Sequence, residues 1–374
     1  MNRKIYFENL DSLRFFAFFS VFILHFESRL KSVTTSHPFL NKFISEYLPL
    51  GSLGVNFFFV LSGFLITWLL LKEEGMNGKY NWINFWIRRI FRIWPLYFLC
   101  VIYGFWIFKI IQNFKGGYFE SANVAYFLSF MPNFNTIANG FATNTTLNVL
   151  WSVGVEEQFY LLWPILFSIK KLRPLVLFGI IIGSIYFRYS NINFMSTFSS
   201  PPLKFHSFNV MGDLAIGALT AWLANEFNLK QNYFKVNKLF NLALYIIGFF
   251  LIIFKSDNDI FQTLQPLLIS MFFAFIIFDQ TFNKLRFFNL GKIGFFDFWG
   301  KYTYGLYCLH TIGILISYNL SKFLKFDTNL IWLCTIEFGF ALILSMFLSY
   351  YCFEYYESKF LKIKKKYSFL STGK

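Results

Sequence analysis

The sequence predicts an all-α, polytopic membrane protein of about ten transmembrane helices with one re-entrant or interfacial segment. Three observations predict it. The 374 residues are 56% hydrophobic and 24% aromatic but only 14% charged, where soluble domains carry roughly a quarter. Apolar runs of about 18 residues or more recur along the chain, the length that crosses a bilayer as a helix. Lysine and arginine then fall mainly on alternate sides of those runs. The runs do not alternate in polarity as barrel strands do, which argues against a transmembrane barrel.

The spans read as 9–28, 52–71, 93–111, 150–169, 174–189, 208–225, 239–254, 263–280, 300–319 and 330–353. With ten crossings, one side collects Arg3, Lys4, Lys72, Lys79, Arg88, Arg89, Arg92, Lys170, Lys171, Arg173, Lys230, Lys235, Lys238, Lys284, Arg286, Lys292 and the "KIKKK" of 362–366. The other side holds far fewer cations, so both termini are expected in the cytoplasm. A weaker apolar stretch, 118–134, would send "KKLR" (170–173) outside if it crossed. It reads instead as re-entrant or interfacial, covered by protein rather than lipid. The expected organisation is one membrane domain over 1–374, with 359–374 a basic cytoplasmic tail.

The net charge of +15 does not imply nucleic acid, because excess lysine and arginine in a membrane protein marks cytoplasmic loops. The first apolar run contains Asp11 and Arg14 and lacks a small-residue cleavage site, so it is expected to stay as the first span. Cys100, Cys308, Cys334 and Cys352 lie in or at the ends of spans and form no CxxC. Neither a disulfide framework nor a metal site is expected.

Ionisable residues inside spans normally face a bundle interior or a wet cavity. Arg14 and His25 are eleven residues apart in "SLRFFAFFSVFILHF". Eleven steps of ~100° return a helix to nearly the same face, about 16 Å further along. Arg14 therefore sits nearer the cytoplasm and His25 nearer the outside, on one face. The plainer alternative is a snorkelling Arg14 and a hydrogen-bonded structural His25. In "WIRRIFRIWPLY", Arg88, Arg89 and Arg92 cluster at the inner surface at helical spacing. They are either a positive-inside anchor or a site for a phosphorylated ligand, since guanidinium forks match phosphate oxygens.

In "LWSVGVEEQFYLLWPIL", Ser152 can cap a helix and Glu156 and Glu157 follow, ~100° apart, so both cannot face one partner. They can charge-balance an imidazole or favour a helix N-terminus. Ser62 and Gly63 sit mid-span, where glycine permits close backbone approach of a neighbouring helix or a slender ligand. Tyr304 and His310 in "YTYGLYCLHT" and Asp213 are further candidates within spans, each functional or structural.

These motifs together resemble the acyltransferase-3 family of bacterial integral-membrane acyltransferases, over nearly the whole chain. "LDSLRFFAFFSVFILHF" is similar to its first-span motif with the Arg-x10-His spacing. "GVNFFFVLSGFLIT" resembles its SGFLI segment, "RRIFRIWPLY" its RxxR pattern at Arg89 and Arg92, and "LWSVGVEEQFYLLWP" its VEEQFYLLWP signature. "YTYGLYCLH" and "SYYCFEYYE" resemble its last-span motifs. Asn56 departs from a frequent Asp and Ser12 from a frequent Gly. Some members carry a periplasmic SGNH hydrolase-like domain. None is expected here, so any second acyl-handling protein would come from elsewhere.

The resemblance implies a ten-helix core in the cytoplasmic (inner) membrane. It implies transfer of an acyl group, acetyl foremost, from cytosolic acyl-CoA to a hydroxyl of a surface or periplasmic carbohydrate or glycolipid. In that reading Arg88, Arg89 and Arg92 hold the donor's phosphates. Its arm threads past Ser62, Gly63 and Arg14. His25 acts as general base or transient acyl acceptor, with Glu156 or Glu157 balancing its charge. A rival of a different class is a non-enzymatic transporter or flippase of a polar lipid or saccharide, which also buries charges along a path. Such proteins often show internal repeats, and none is evident here.

Overall fold

The computed structural model describes residues 3–5, 7, 9–34, 38–113, 117–192, 203–230, 234–286, 288–368 and 370–372. Among the described residues, a helix overlaps each of the ten apolar runs. These helices are α1 (Leu10–Thr34), α2 (Leu53–Asn77), α3 (Trp82–Ile102), α4 (Leu150–Leu166), α5 (Arg173–Ser190), α6 (Ser207–Glu226), α7 (Lys238–Ile253), α8 (Asp259–Phe282), α9 (Thr303–Phe323) and α10 (Phe338–Cys352). Among the described residues, six helical stretches are long and apolar enough to cross a membrane: Pro38–Asn77, Trp82–Asn113, Lys170–Ser190, Leu203–Glu226, Asp259–Phe282 and Leu330–Lys365. Of the others, α4 has 17 residues and α7 has 16, while α1 carries Asp11, Arg14, Glu27, Arg29 and Lys31 along its length.

Local chemistry sets the helix ends. Asn81 caps α3 by accepting a hydrogen bond from the Asn84 amide at 3.0 Å, satisfying one of the orphan amides of a first turn. Asn237 and Asn258 do the same for α7 and α8. Gly78 ends α2 in the left-handed region, at φ 74°, a conformation that favours glycine. The stretch 118–134 is not one long helix: Val124–Leu128 and Pro132–Asn139 are separate short helices of 5 and 8 residues. Neither reaches the roughly 20 residues that a crossing needs.

Helices α2 and α6 pack backbone to backbone. A Cβ at Gly63 would overlap the Leu214 carbonyl, and one at Gly217 would overlap the Val60 carbonyl, so small residues set the helix spacing here. An aromatic cluster of Phe15, Phe18, Phe22 and Phe26 joins α1 to α9 and α10 through Leu306, Ile314, Ala341 and Met346. A second cluster, including Leu70, Leu96, Tyr97, Trp163 and Leu214, ties α2, α3, α4 and α6 together.

The chain ends meet. Arg3–Ile5 pairs in parallel with Leu370–Thr372, which puts both ends on one side of the molecule. The basic tail is fastened as well: a helix, Ser358–Lys365, packs along α3, and Arg88 Nη1 donates to the Tyr367 carbonyl at 2.9 Å.

Candidate active site

Five of these helices, with the end of the short helix Gly294–Gly300, line a cavity of about 150 Å³. Arg14 reaches it from α1, Ser62 from α2, Arg89 and Arg92 from α3, Glu156 and Tyr160 from α4, and Tyr304 and Tyr307 from α9. Residues separated by up to about 290 positions in sequence thus share one wall. A slot this size is below the ~300–1,000 Å³ of drug-sized pockets and suits a slender chain.

One end of the cavity is cationic. Arg92 feels the like charges of Arg14 and Arg89 and the opposite charges of the Glu357 and Asp11 carboxylates. Arg14 is bonded to Asp11 one turn earlier on α1. The Arg89 guanidinium lies 5.4 Å from the Phe85 ring centre and 5.3 Å from that of Tyr160, and its buried Nε has no hydrogen-bond partner among the described residues. Lys301 lines the same cavity, and Lys364 of the tail lies near Arg92, Arg89, Arg88 and Arg14. Arg14 is paired with Asp11, Arg88 with Glu73 and Lys301 with Glu354, whereas Arg89 and Arg92 form no ion pair among the described residues and can receive an anion.

The two carboxylates of α4 separate as the helical step requires. Glu156 faces the cavity and accepts from the Tyr160 hydroxyl at 2.6 Å, and that hydroxyl also meets Ser62 Oγ. Glu157 turns to α3, where Trp94 Nε1 donates to it at 2.8 Å. Ser152 does not cap α4. It is the third residue of the first turn, and its Oγ pairs with the Tyr307 hydroxyl at 2.6 Å. A helix that begins at Leu150 leaves Ser152 no terminal amide to cap. The Tyr304 hydroxyl donates to the Ile93 carbonyl at 2.8 Å, joining α9 to α3 just beyond Arg92.

His25 stands outside this cavity, half-buried. Its Nδ1 bonds the Val21 carbonyl at 2.9 Å. A carbonyl only accepts, so Nδ1 carries the hydrogen and Nε2 keeps a lone pair. Neither Glu156 nor Glu157 contacts the imidazole. Its companion is His310, whose ring centre lies 4.8 Å away at 70°. His310 is in turn 6.2 Å from Tyr307, which lines the cavity.

Other candidates have different surroundings. Arg88 forms a 2.8 Å ion pair with Glu73 and does not line the cavity. Gly63 faces α6. Asp213 is fully buried, accepting from Asn56 Nδ2 at 2.7 Å and Ser270 Oγ at 2.7 Å, with Arg188 at 3.4 Å. The amide at position 56 donates to Asp213; a carboxylate there would repel it.

Tyr160, Tyr307, Lys301 and Lys364 join the cavity surroundings without having stood out as ionisable groups within spans. Tyr160 was within reach, since i,i+4 spacing puts it on the face of Glu156. Lys364 was not, because one lysine of a basic tail looks like any other until the tail is folded back.

The chain is similar in sequence to known proteins. The O-acetyltransferase OatA of Staphylococcus aureus is 30% identical over 263 residues, 65% of this chain and 38% of that protein. The peptidoglycan O-acetyltransferase OatA of Listeria monocytogenes is 36% identical over 143 residues, 36% of this chain and 23% of that protein. The matched region thus spans less than half the length of these relatives. No solved structure matches the chain. Residues 7–354, which include all five cavity-forming helices, match the family described as an acyltransferase domain, and to that family this chain belongs.

Proposed function

We propose that the protein is a transmembrane O-acyltransferase. It moves an acetyl group from cytosolic acetyl-CoA to a hydroxyl of a cell-surface or periplasmic carbohydrate or glycolipid. The observation that carries the reading is the meeting of Arg14, Arg89, Arg92, Ser62 and Glu156 around one slender cavity, with the His25–His310 pair beyond Tyr307. Both OatA relatives are named as O-acetyltransferases, one of them of peptidoglycan, which favours an envelope glycan as acceptor.

In this reading the chain crosses the cytoplasmic membrane ten times as a single domain over 1–374, with 359–374 at the inner surface. The paired chain ends support an even number of crossings, and the cation distribution supports cytoplasmic termini. The segment 118–134 lies re-entrant or interfacial on the outer side.

Arg89 and Arg92 hold the donor's phosphates by charge and fork geometry. Arg14 and Ser62 line the path of its arm. The half-buried His25 offers the Nε2 lone pair as general base to the acceptor hydroxyl. Glu156, held by Tyr160, offsets the arginines.

The test uses the protein in lipid vesicles with acetyl-CoA. Thiol release that depends on an added glycan, together with O-acetyl esters on surface polysaccharide only in cells making the protein, supports the reading. Glycan or lipid movement without thiol release would replace it with a transporter.

A further inference from the structure

The buried histidine behind His25 has an unfilled acceptor. His310 is 0% exposed. Its Nδ1 bonds the carbonyls of Leu306 at 3.2 Å and Tyr307 at 2.9 Å, so the hydrogen sits on Nδ1. Nε2 is left as a bare lone pair with no hydrogen-bond partner among the described residues. Buried polar atoms are almost always satisfied, and an exception calls for a reason.

The surroundings narrow that reason. The rings of Phe18 and Phe22, at 5.9 and 6.3 Å, carry no polar hydrogen. The Tyr307 hydroxyl pairs with Ser152 Oγ, and the Thr311 hydroxyl with Thr146 at 3.0 Å. The nearest ring is that of His25, 4.8 Å away between centres. Its Nδ1 hydrogen is committed to Val21, so it has an N–H to offer only after Nε2 has taken a proton.

We propose that His310 is a positioning residue that accepts a hydrogen bond from the His25 imidazolium, so that the two Nε2 atoms share one proton during acyl transfer. The inference rests on His25 being the base. The balance is simple. The acceptor oxygen bonds to the acyl carbon and gives its proton to His25 Nε2. The thioester C–S bond breaks and the sulfur leaves with the electron pair. The proton, held meanwhile between the imidazoles, ends on the thiolate. The nitrogen opposite the base is held by the Val21 carbonyl, the place a carboxylate takes in other triads, while His310 steadies the proton on the reacting nitrogen itself. A neutral His310 also avoids a permanently buried charge.

The experiment measures transfer from acetyl-CoA to purified peptidoglycan glycan strands by the reconstituted protein. His310→Phe keeps a ring among Phe18 and Phe22 and removes the acceptor. His310→Gln restores an acceptor oxygen. His310→Phe should lower kcat by about 10–100-fold, the loss of one charge-assisted hydrogen bond, with the KM for acetyl-CoA unchanged. His310→Gln should recover part of that loss, and His310→Phe should cost nothing more in a His25→Gln background. A His310→Phe enzyme within about twofold of wild-type kcat overturns the proposal. So does a parallel loss of rate and acetyl-CoA binding in both His310 variants, which marks a packing role. Retained activity in His25→Gln alone instead removes the base reading beneath it.

Discussion

Two buried charge clusters in this helix bundle are built on opposite terms. Around Asp213 every partner is complementary: Asn56 and Ser270 donate, Arg188 balances the charge, and each belongs to a different helix. Around the cavity, Arg14, Arg89 and Arg92 face one another, and Arg89 keeps an unpartnered nitrogen. The Asp213 carboxylate is met by protein donors, although Arg188 Nη1 has no hydrogen-bond partner among the described residues. The cations of the second cluster differ in lining an opening. Intramembrane charge by itself therefore does not mark a site; charge around an opening does.

The largest expected effect lies beside the cavity cluster. His25→Gln should reduce acetyl transfer by at least about 10²–10⁴-fold, the usual contribution of a general base, with acetyl-CoA binding retained. Transfer assays paired with calorimetric binding check both halves. Near-normal transfer by a folded variant would reduce His25 to a structural group.

Breaking the Asp213 cluster should do the reverse. Asp213→Ala leaves Arg188 buried and unpaired, at a cost of about 3–5 kcal/mol of stability. Thermal unfolding in detergent should show the drop, while donor affinity of the remaining folded protein stays unchanged. A kinetic defect without destabilisation would move Asp213 into the same class as the cavity arginines.

Arg89→Ala and Arg92→Ala should each weaken acetyl-CoA binding by about 1–3 kcal/mol, the scale of a hydrogen bond to a charged group. Lysine should rescue only partly, because the fork is lost. Binding titrations that show no change in the double alanine variant would leave these residues as topology signals.

The smallest effect sharpens the contrast within one helix turn. Arg88 is neutralised by Glu73 and lies outside the cavity, so Arg88→Ala should change acetyl-CoA affinity by less than about 1 kcal/mol, below the scale of a direct hydrogen bond to a charged group. A loss as large as that of Arg89→Ala would mean that the whole "RRIFR" cluster acts as one anion site.

Much of the architecture was legible in the residues, because a membrane makes unusually strict demands. A span needs about 20 apolar residues and charged loops sort by side, so a helix overlaps each of the ten apolar runs. The ~100° step of a helix likewise separates Glu156 from Glu157, whereas Arg14 lines the cavity and His25, eleven residues on, stands outside it. Which groups meet across helices was a different matter. Arg88 and Arg89 are adjacent and chemically identical, yet one pairs with Glu73 and the other lines the cavity. That outcome depends on how α3 is rotated against α2 and α4. The companionship of His25 and His310, 285 positions apart, and the return of Lys364 toward the arginines depend on long-range packing too. Periodicity fixes the face a side chain takes on its own helix; only the packed bundle decides what stands opposite that face.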